Sequence, residues 1–312
     1  MSAYRPLTLQ EVCLRDGLQI EPMLVPTAKK IELADAFTQL GFARIEVSSF
    51  VSPRAVPALA DATQVFAGMA RAPGTIYVAL VPNLKGAERA IASGADELNL
   101  VMSAGETHNL ANMRMTAEES FAGFAKIATA ASGTVRLNGT VATAFGCPFE
   151  GNQPTPKVLD LVRRYLDLGC GGITLADTTG MANPRQVAAL VEKTLGLIGP
   201  EGLTLHFHNT RGLGLANLLA AYEVGAQRFD AALGGLGGCP FAPGASGNIC
   251  TEDVVAMCEE MDIPTGLDLP RLIELSRTLP ALVGHDTAGQ VAKAGRVCDL
   301  HPPPAGLRAA SM

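Results

Sequence analysis

The stretch "GITLADTTGMANPRQVAALVEKTLGLIGPEGLTLHFH" (residues 172–208) contains two short β-rich runs separated by an amphipathic segment. The runs 172–177 and 203–208 are largely apolar, which is typical of strands buried on both faces of a parallel sheet. The segment 183–197 begins with Asn and Pro, residues that favour the start of a helix. This stretch therefore predicts a strand–helix–strand unit of an α/β protein.

The same alternation extends along the chain. Strands are predicted at 7–12, 43–49, 75–81, 97–103, 134–143, 172–177, 203–208 and 228–233. Helices are predicted at 27–41, 86–94, 116–132, 155–169, 183–197, 214–225 and 251–261. About eight such units over roughly 260 residues predict a (β/α)₈ TIM barrel. A doubly wound sheet is the alternative, but the Gly-rich runs 212–217 and 234–238 do not follow the first strand, as a dinucleotide-binding motif would.

Composition limits the possible function classes. The chain has 312 residues, 48% of them hydrophobic, and a net charge of −6, which argues against nucleic-acid or anionic-membrane partners. There is no uninterrupted apolar run of about 18 residues and no signal-peptide pattern in "MSAYRPLTLQ". Seven cysteines without a CxxC pair favour reduced thiols and a cytoplasmic protein. We expect one catalytic domain over residues 1–300 and a loose tail over 301–312.

Polar residues follow several predicted strands at their C-terminal ends, where TIM barrels carry their chemistry. Arg15 and Asp16 come after the first strand, and Glu46 lies inside the apolar second strand. A buried carboxylate needs a partner, so we expect a water, a cation or an arginine beside Glu46. Asp177 ends the sixth strand, where it serves either as a carboxylate of the barrel mouth or as a helix-capping or turn residue.

The seventh strand ends in two histidines. His206 and His208 point to the same face because side chains alternate along a strand. Asp16 follows the first strand, and in a closed barrel only the eighth strand lies between the first and the seventh. Asn248 is the last residue of the loop after the eighth strand. These four side chains predict a site for a divalent cation with open positions for substrate. Mixed oxygen and nitrogen ligands favour Mg²⁺ or Mn²⁺, although imidazole also suits Zn²⁺ or Fe²⁺.

The loop "GGLGGCPFAPGASGN" (234–248) has six glycines among its fifteen residues. A long Gly-rich loop at a barrel mouth is typical of a mobile lid. Cys239 in this loop is a candidate acid/base or nucleophile. The alternative is a small apolar side chain under a tight turn.

The sequence resembles the 3-hydroxy-3-methylglutaryl-CoA lyase family through motifs that span almost the whole chain in order. The motifs are "EVCLRDGLQIE" (11–21), "IEVSSFVSPRAVPALAD" (45–61), "VPNLKG" (81–86), "GCPFEG" (146–151), "LADTTG" (175–180), "HFHNTRG" (206–212) and "GGLGGCPFAPGASGNICTED" (234–253). The resemblance implies a homodimer or higher homo-oligomer that cleaves a tertiary 3-hydroxyacyl-CoA with the help of a divalent metal.

Residue roles follow from the same resemblance. It gives the metal positions to Asp16, His206, His208 and Asn248. It implies that Arg15 polarises the thioester and stabilises the enolate, that Glu46 is a carboxylate of the active site, and that Cys239 or His206 protonates the enolate. The substrate contacts are predicted at Arg15, Gln19, Thr140, Asp177 and Arg211.

Two departures from the family pattern bear on the substrate. Arg211 and Thr140 stand where the lyases usually have tyrosines, and Asn209 resembles the synthase branch of the superfamily. We therefore predict a 3-hydroxy-3-carboxyalkyl-CoA whose acyl part is bulkier or differently placed than in 3-hydroxy-3-methylglutaryl-CoA. The alternative is that Arg211 points to solvent and changes nothing. The rival functions are a Claisen-type synthase that joins acetyl-CoA to a 2-oxo acid, and a barrel that binds metal without catalysis.

Overall fold

The structure, a computed structural model, describes residues 4–238 and 247–302. Eight parallel strands close into a barrel in which each strand pairs with its neighbours in chain order. They are β1 (Thr8–Glu11), β2 (Arg44–Ser49), β3 (Ile76–Leu80), β4 (Glu97–Ser103), β5 (Arg136–Ala142), β6 (Gly172–Asp177), β7 (Leu203–Phe207) and β8 (Arg228–Ala231). The last strand pairs with the first, with Thr8 beside Arg228, so the barrel has no free edge. The predicted TIM barrel is confirmed.

Helices connect the strands and cover the barrel. They are α1 (Thr27–Gln39), α2 (Ala62–Gly68), α3 (Leu84–Ala92), α4 (Glu106–Met113), α5 (Ala117–Ala131), α6 (Thr155–Asp167), α7 (Pro184–Ile198), α8 (Gly214–Glu223), α9 (Thr251–Glu260), α10 (Leu269–Ser276), α11 (Leu279–Val283) and α12 (Val291–Ala294). None of the helices in the described ranges is long and apolar enough to cross a membrane.

Local sequence explains where the helices begin. The side chain of Asn183 accepts a hydrogen bond from the backbone of Gln186 at the start of α7. Thr116 and Glu119 form a reciprocal capping box at the start of α5. Both arrangements satisfy backbone N–H groups that have no partner within the helix. The strands and helices that the sequence predicts agree with the observed ranges to within a few residues at their ends.

Several elements differ from the prediction. The segment Cys13–Gly17, for which no helix was predicted, is a buried π-helical turn. The short helix α4 and a two-stranded hairpin of Gly146–Cys147 and Gly151–Asn152 were not predicted. Of the expected tail 301–312, only residues 301 and 302 fall within the described ranges.

Candidate active site

A cavity of about 530 Å³ opens at the C-terminal end of the barrel. Apolar residues that follow β2, β3 and β4 in the chain line it, among them Val51, Val81 and Met113 of α4. It is also lined by the predicted site residues Arg15, Asp16, Gln19, Thr140, His206 and His208. A TIM barrel carries its active site at this end, and the combination of an apolar wall and a few polar groups is typical of a small-molecule site.

Asp16, His206 and His208 converge at this cavity. Their ligand atoms all lie within 4.8 Å of one another, and all three residues are buried. The Asp16 Oδ2 atom is 3.3 Å from His208 Nε2 and 3.9 Å from His206 Nε2. Asn248 also reaches this carboxylate, because its Nδ2 donates a hydrogen bond of 2.8 Å to Asp16 Oδ2. The structure thus brings together the four residues that the sequence predicts as metal ligands.

Unsatisfied polar atoms show that this cluster fits a cation. Both ring nitrogens of His208 and the Oδ1 atom of Asn248 are buried and accept or donate no hydrogen bond among the described residues. Buried polar atoms are nearly always hydrogen-bonded, so the unpaired atoms of His208 and Asn248 indicate a missing partner. A carboxylate oxygen, imidazole nitrogens and an amide oxygen are all ligands for divalent metals. The residues present therefore fit a divalent cation.

The pKa shifts of Asp16 and His208 favour the protonation states in which these side chains bind a metal. Burial alone would raise the pKa of Asp16, but the Arg15 guanidinium and the two imidazoles hold it well below its usual range. Burial is the main cause that holds the pKa of His208 below its ordinary value. Asp16 is therefore ionised and His208 neutral near pH 7, as metal binding requires.

Asp230 is a site residue that sequence reasoning missed. It lies on β8, lines the cavity, and its Oδ2 atom is 3.1 Å from Nδ1 of His206. Burial would lower the pKa of His206, but this contact and the charge of Asp16 raise it. A carboxylate behind a metal-binding histidine orients the ring and increases its basicity. The signal was available, because Asp230 interrupts an apolar strand just as Glu46 does.

Arg15 is held by carboxylates on two sides. Its Nε atom donates to Glu46 Oε2 at 2.5 Å, and its Nη1 atom donates to Asp16 Oδ1. Glu46 Oε1 also accepts a hydrogen bond of 2.9 Å from Asn99. The expected arginine partner of Glu46 is thus present. Glu46 is fully buried beside Arg15 and is not among the residues that line the cavity, and its predicted catalytic role stays a prediction.

Two predicted substrate contacts, Asp177 and Arg211, lie away from the cavity. The Asp177 carboxylate accepts hydrogen bonds from the backbone N–H groups of Met181 and Ala182, and it therefore closes the turn before α7. The Arg211 side chain donates to the backbone carbonyls of Thr179 and Gly180, and the residue is exposed. That these side chains contact the substrate stays a prediction. Both are satisfied by nearby backbone, which sequence patterns do not reveal.

The other substrate contacts predicted from sequence remain at the cavity. Gln19 donates to Asp16 Oδ1 at 3.1 Å, and the Thr140 hydroxyl donates to Asn99 Oδ1 at 2.6 Å. Ser49, which the sequence reasoning did not select, also lines the cavity, and its buried hydroxyl has no hydrogen-bond partner among the described residues. Cys239 lies outside the described residues, although the preceding residue, Gly238, lines the cavity.

Glycines flank the part of the lid loop that is not described. Gly237 has φ of +111°, and a Cβ atom there would lie 2.6 Å from Nδ2 of Asn248 and 2.9 Å from the Asp16 carbonyl oxygen. A Cβ on Gly247, with φ of +87°, would lie 2.2 Å from the carbonyl oxygen of Gly235. These positions require glycine both for backbone conformation and for close approach. The loop is therefore in tight contact with Asn248 and Asp16 at Gly237, and with the backbone of Gly235 at Gly247.

Comparisons with known proteins agree with this geometry. A family model described as HMGL-like matches residues 7–279. The (R)-citramalyl-CoA lyase of Chloroflexus aurantiacus is 42% identical over 93% of this chain and 95% of its own length. The hydroxymethylglutaryl-CoA lyase of Bacillus subtilis is 40% identical over 90% of this chain and 94% of its own length.

A solved structure is more similar still. An HMG-CoA lyase from Acinetobacter baumannii, in complex with coenzyme A and 3-methylmalate, is 66% identical and superimposes with a TM-score of 0.94. The match covers 96% of this chain and 98% of that one. The chain therefore belongs to the HMGL-like family of carbon–carbon lyases.

Proposed function

We propose that this protein is a divalent-metal-dependent acyl-CoA lyase that cleaves a tertiary 3-hydroxyacyl-CoA to acetyl-CoA and a keto acid. The observation that carries the proposal is the convergence of Asp16, His206 and His208 at the cavity, beside unsatisfied buried atoms of His208 and Asn248. Asn248 Oδ1 is proposed as the fourth protein ligand. The donor set favours Mg²⁺ or Mn²⁺.

The residues of the cavity divide the reaction between them. A divalent cation held there would supply a Lewis acid that lowers the pKa of the substrate C3 hydroxyl. A base takes that proton, and the C3–O electron pair then forms a ketone while the C2–C3 bond breaks, which leaves a thioester enolate. Arg15 is the permanent cation beside this fragment and stabilises its charge. Cys239 then protonates C2 to give acetyl-CoA, because a neutral His206 that keeps its proton on Nδ1 beside Asp230 and offers Nε2 to the cation has none to donate.

Arg15 is well prepared for this role. Glu46 and Asp16 fix two edges of its guanidinium, and Nη2 forms no hydrogen bond within the described part of the chain. The side chain lines the cavity and is only 8% exposed. A donor fixed in advance in a site with little water costs no reorganisation when charge develops on the substrate.

We further propose a substrate with a carboxylate on the carbinol carbon, the 3-hydroxy-3-carboxyalkyl class. The citramalyl-CoA named for one relative has this arrangement, and it is one methylene shorter than 3-hydroxy-3-methylglutaryl-CoA. Because Arg211 lies away from the cavity, it does not support a carboxylate contact. The unpaired hydroxyl of Ser49 and the hydroxyl of Thr140 are the candidate polar contacts in its place.

Product analysis tests the proposed reaction. The protein with Mn²⁺ is incubated with citramalyl-CoA, 3-hydroxy-3-methylglutaryl-CoA and larger 3-substituted homologues, and acetyl-CoA is measured by mass spectrometry. We expect acetyl-CoA release, and kcat/KM values that differ about 10–200-fold between substrates one methylene apart. Condensation of acetyl-CoA with a 2-oxo acid without cleavage would favour the synthase, and neither reaction would favour a binding protein. Equal or better cleavage of the methylglutaryl substrate would refute the substrate proposal alone.

Other aspects of the function remain predictions. A single domain over residues 1–300, a homo-oligomer and a cytoplasmic location are consistent with the proposed enzyme. The oligomeric state is measurable by light scattering of the purified protein.

A further inference from the structure

Four consecutive strands of the barrel each contribute one buried polar residue to the same register row. His206 on β7 is the register partner of Asp230 on β8. Asp230 is also the register partner of Gln10 on β1, and Gln10 is that of Arg44 on β2. Each residue is at most 7% exposed. Arg44 is the first residue of its strand and lines a separate cavity with the starts of other strands. The strands of a closed barrel are staggered, so these four residues extend from the N-terminal end of the barrel, at Arg44, to the proposed metal site, at His206.

Hydrogen bonds connect this row without interruption. Arg44 Nε donates to Gln10 Oε1 at 2.9 Å, and Gln10 Nε2 donates to Asp230 Oδ1 at 3.1 Å. The other Asp230 oxygen, Oδ2, is 3.1 Å from His206 Nδ1. Arg44 is itself neutralised by an ion pair with Glu97.

The chemistry of these groups gives the row a direction. A guanidinium has donors only, so the Gln10 amide must turn its oxygen towards Arg44 and its NH₂ group towards Asp230. A carboxylate can only accept hydrogen bonds, so Nδ1 of His206 carries the proton and donates to Oδ2 of Asp230. The Nε2 atom of a neutral His206 then presents its lone pair. Nε2 is the ring nitrogen that lies 3.9 Å from Oδ2 of Asp16.

We propose that Gln10 is a positioning residue for the metal site: its amide, oriented by Arg44, holds Asp230 so that His206 keeps its Nε2 atom available to the cation. This inference rests on the metal site of the proposed function. Gln10 does not line the active-site cavity, so it acts only through Asp230. Outer hydrogen-bond partners of metal ligands are commonly worth 10–100-fold in affinity.

The test is the affinity of the metal-free full-length protein for Mn²⁺ alone, measured by electron paramagnetic resonance. Gln10→Met keeps a side chain of similar size but removes both hydrogen bonds. We expect its Kd for Mn²⁺ to rise about 10-fold or more. The matched control is Thr204→Val, a buried residue on the strand of His206 that shares its face but lies outside the row. Its Kd should stay within about 3-fold of the unsubstituted protein.

The unsubstituted protein provides a second readout that does not depend on a variant folding. Nitrogen NMR of ¹⁵N-histidine-labelled, metal-free protein, above the pH at which His206 titrates, should show the proton on Nδ1. A proton on Nε2, an unchanged Kd in Gln10→Met, or an equal loss in Thr204→Val would each overturn the inference. If the unsubstituted protein binds no Mn²⁺, the proposed metal site itself fails.

Discussion

Arg15 combines two functions at one side chain: its position is fixed by Glu46 and Asp16, and its charge faces the cavity. Arg15→Lys keeps the charge but loses the planar fork that allows both contacts at once. We predict that kcat falls about 10²–10³-fold, the usual cost of losing one donor to a developing oxyanion. Steady-state kinetics measure this loss, and the control is Arg163→Lys, a substitution at an exposed residue of α6. A loss of only a few-fold would remove Arg15 from enolate stabilisation.

Cys239 is predicted to move a proton from the lid loop. Cys239→Ser keeps the size of the side chain but replaces the thiol by a much weaker acid. We expect kcat to fall about 10²–10⁴-fold, the range for a placed general acid or base. Mn²⁺ affinity should be unchanged, because the thiol is not among the proposed ligands. A rate near that of the unsubstituted protein would return Cys239 to an apolar role under the turn.

The individual residues of the site were predictable to different degrees. Asp16, His206 and His208 were identifiable because they follow strands whose ends meet at one side of a barrel. The backbone hydrogen bonds of Arg211 and Asp177 could not be predicted, because the loop after β6 brings their partners near only in the folded chain. Asp230 was missed although it interrupts an apolar strand. Gln10 and Arg44 were missed because a polar residue in a short strand reveals its partner only through the register of the barrel.

At the level of elements, the start of the lid loop packs directly on the metal-binding residues. Gly237→Ala would place a methyl group against Asn248 and the backbone of Asp16, at a φ that L-residues rarely adopt. We predict a rise of at least about 10-fold in the Kd for Mn²⁺ and a comparable loss of activity, since these contacts hold the proposed ligands.

The matched control for that variant is Gly74→Ala. Gly74 also has a positive φ, of +89°, but a Cβ atom there would meet nothing within 4 Å. The two variants therefore carry similar backbone strain, and only Gly237→Ala disturbs the site. Equal Mn²⁺ affinity in the two proteins would contradict the predicted contact between the loop and the ligands.

Glu11 joins the end of β1 to the segment after β8 and to α9. Its carboxyl accepts hydrogen bonds from the backbone of Cys13 and Leu233 and from the Thr251 hydroxyl. Burial raises the pKa of Glu11 to about 8 from the ordinary 4.5. The folded protein therefore binds a proton that the unfolded chain releases. This contribution is fully present below about pH 4.5 and is lost as the pH rises through about 8.

Glu11→Gln mimics the protonated carboxyl at every pH. We predict that the variant is about as stable as the parent near pH 4 and more stable than it near pH 8.5, because the folded parent must lose the Glu11 proton or bury its charge as the pH rises. Urea unfolding at about these two pH values measures the difference, and titration of other groups cancels in the comparison. A constant difference between the two proteins would show that Glu11 keeps one charge state across this range.

For the whole molecule, the barrel was predictable because every level of the sequence agrees with it. Apolar strands, capped amphipathic helices and short connections recur at the spacing of a TIM barrel, as in "GITLAD" and "LTLHFH". The π-helical turn Cys13–Gly17 was not predictable, because its residues have no helical periodicity and tertiary contacts determine their conformation. That turn buries Arg15 and Asp16 beside His206 of β7 and beside His208, which follows the strand.

The proposed lyase reaction depends on a cation held by Asp16, His206 and His208. A Mn²⁺ titration of metal-stripped protein, in which bound metal and acetyl-CoA release are recorded on the same samples, tests this dependence. We predict no turnover without metal and activity that rises in proportion to occupancy up to one ion per chain, with both signals lost in a folded Asp16→Ala variant. Full activity in the metal-free protein, or in an Asp16→Ala variant that binds no Mn²⁺, would contradict it.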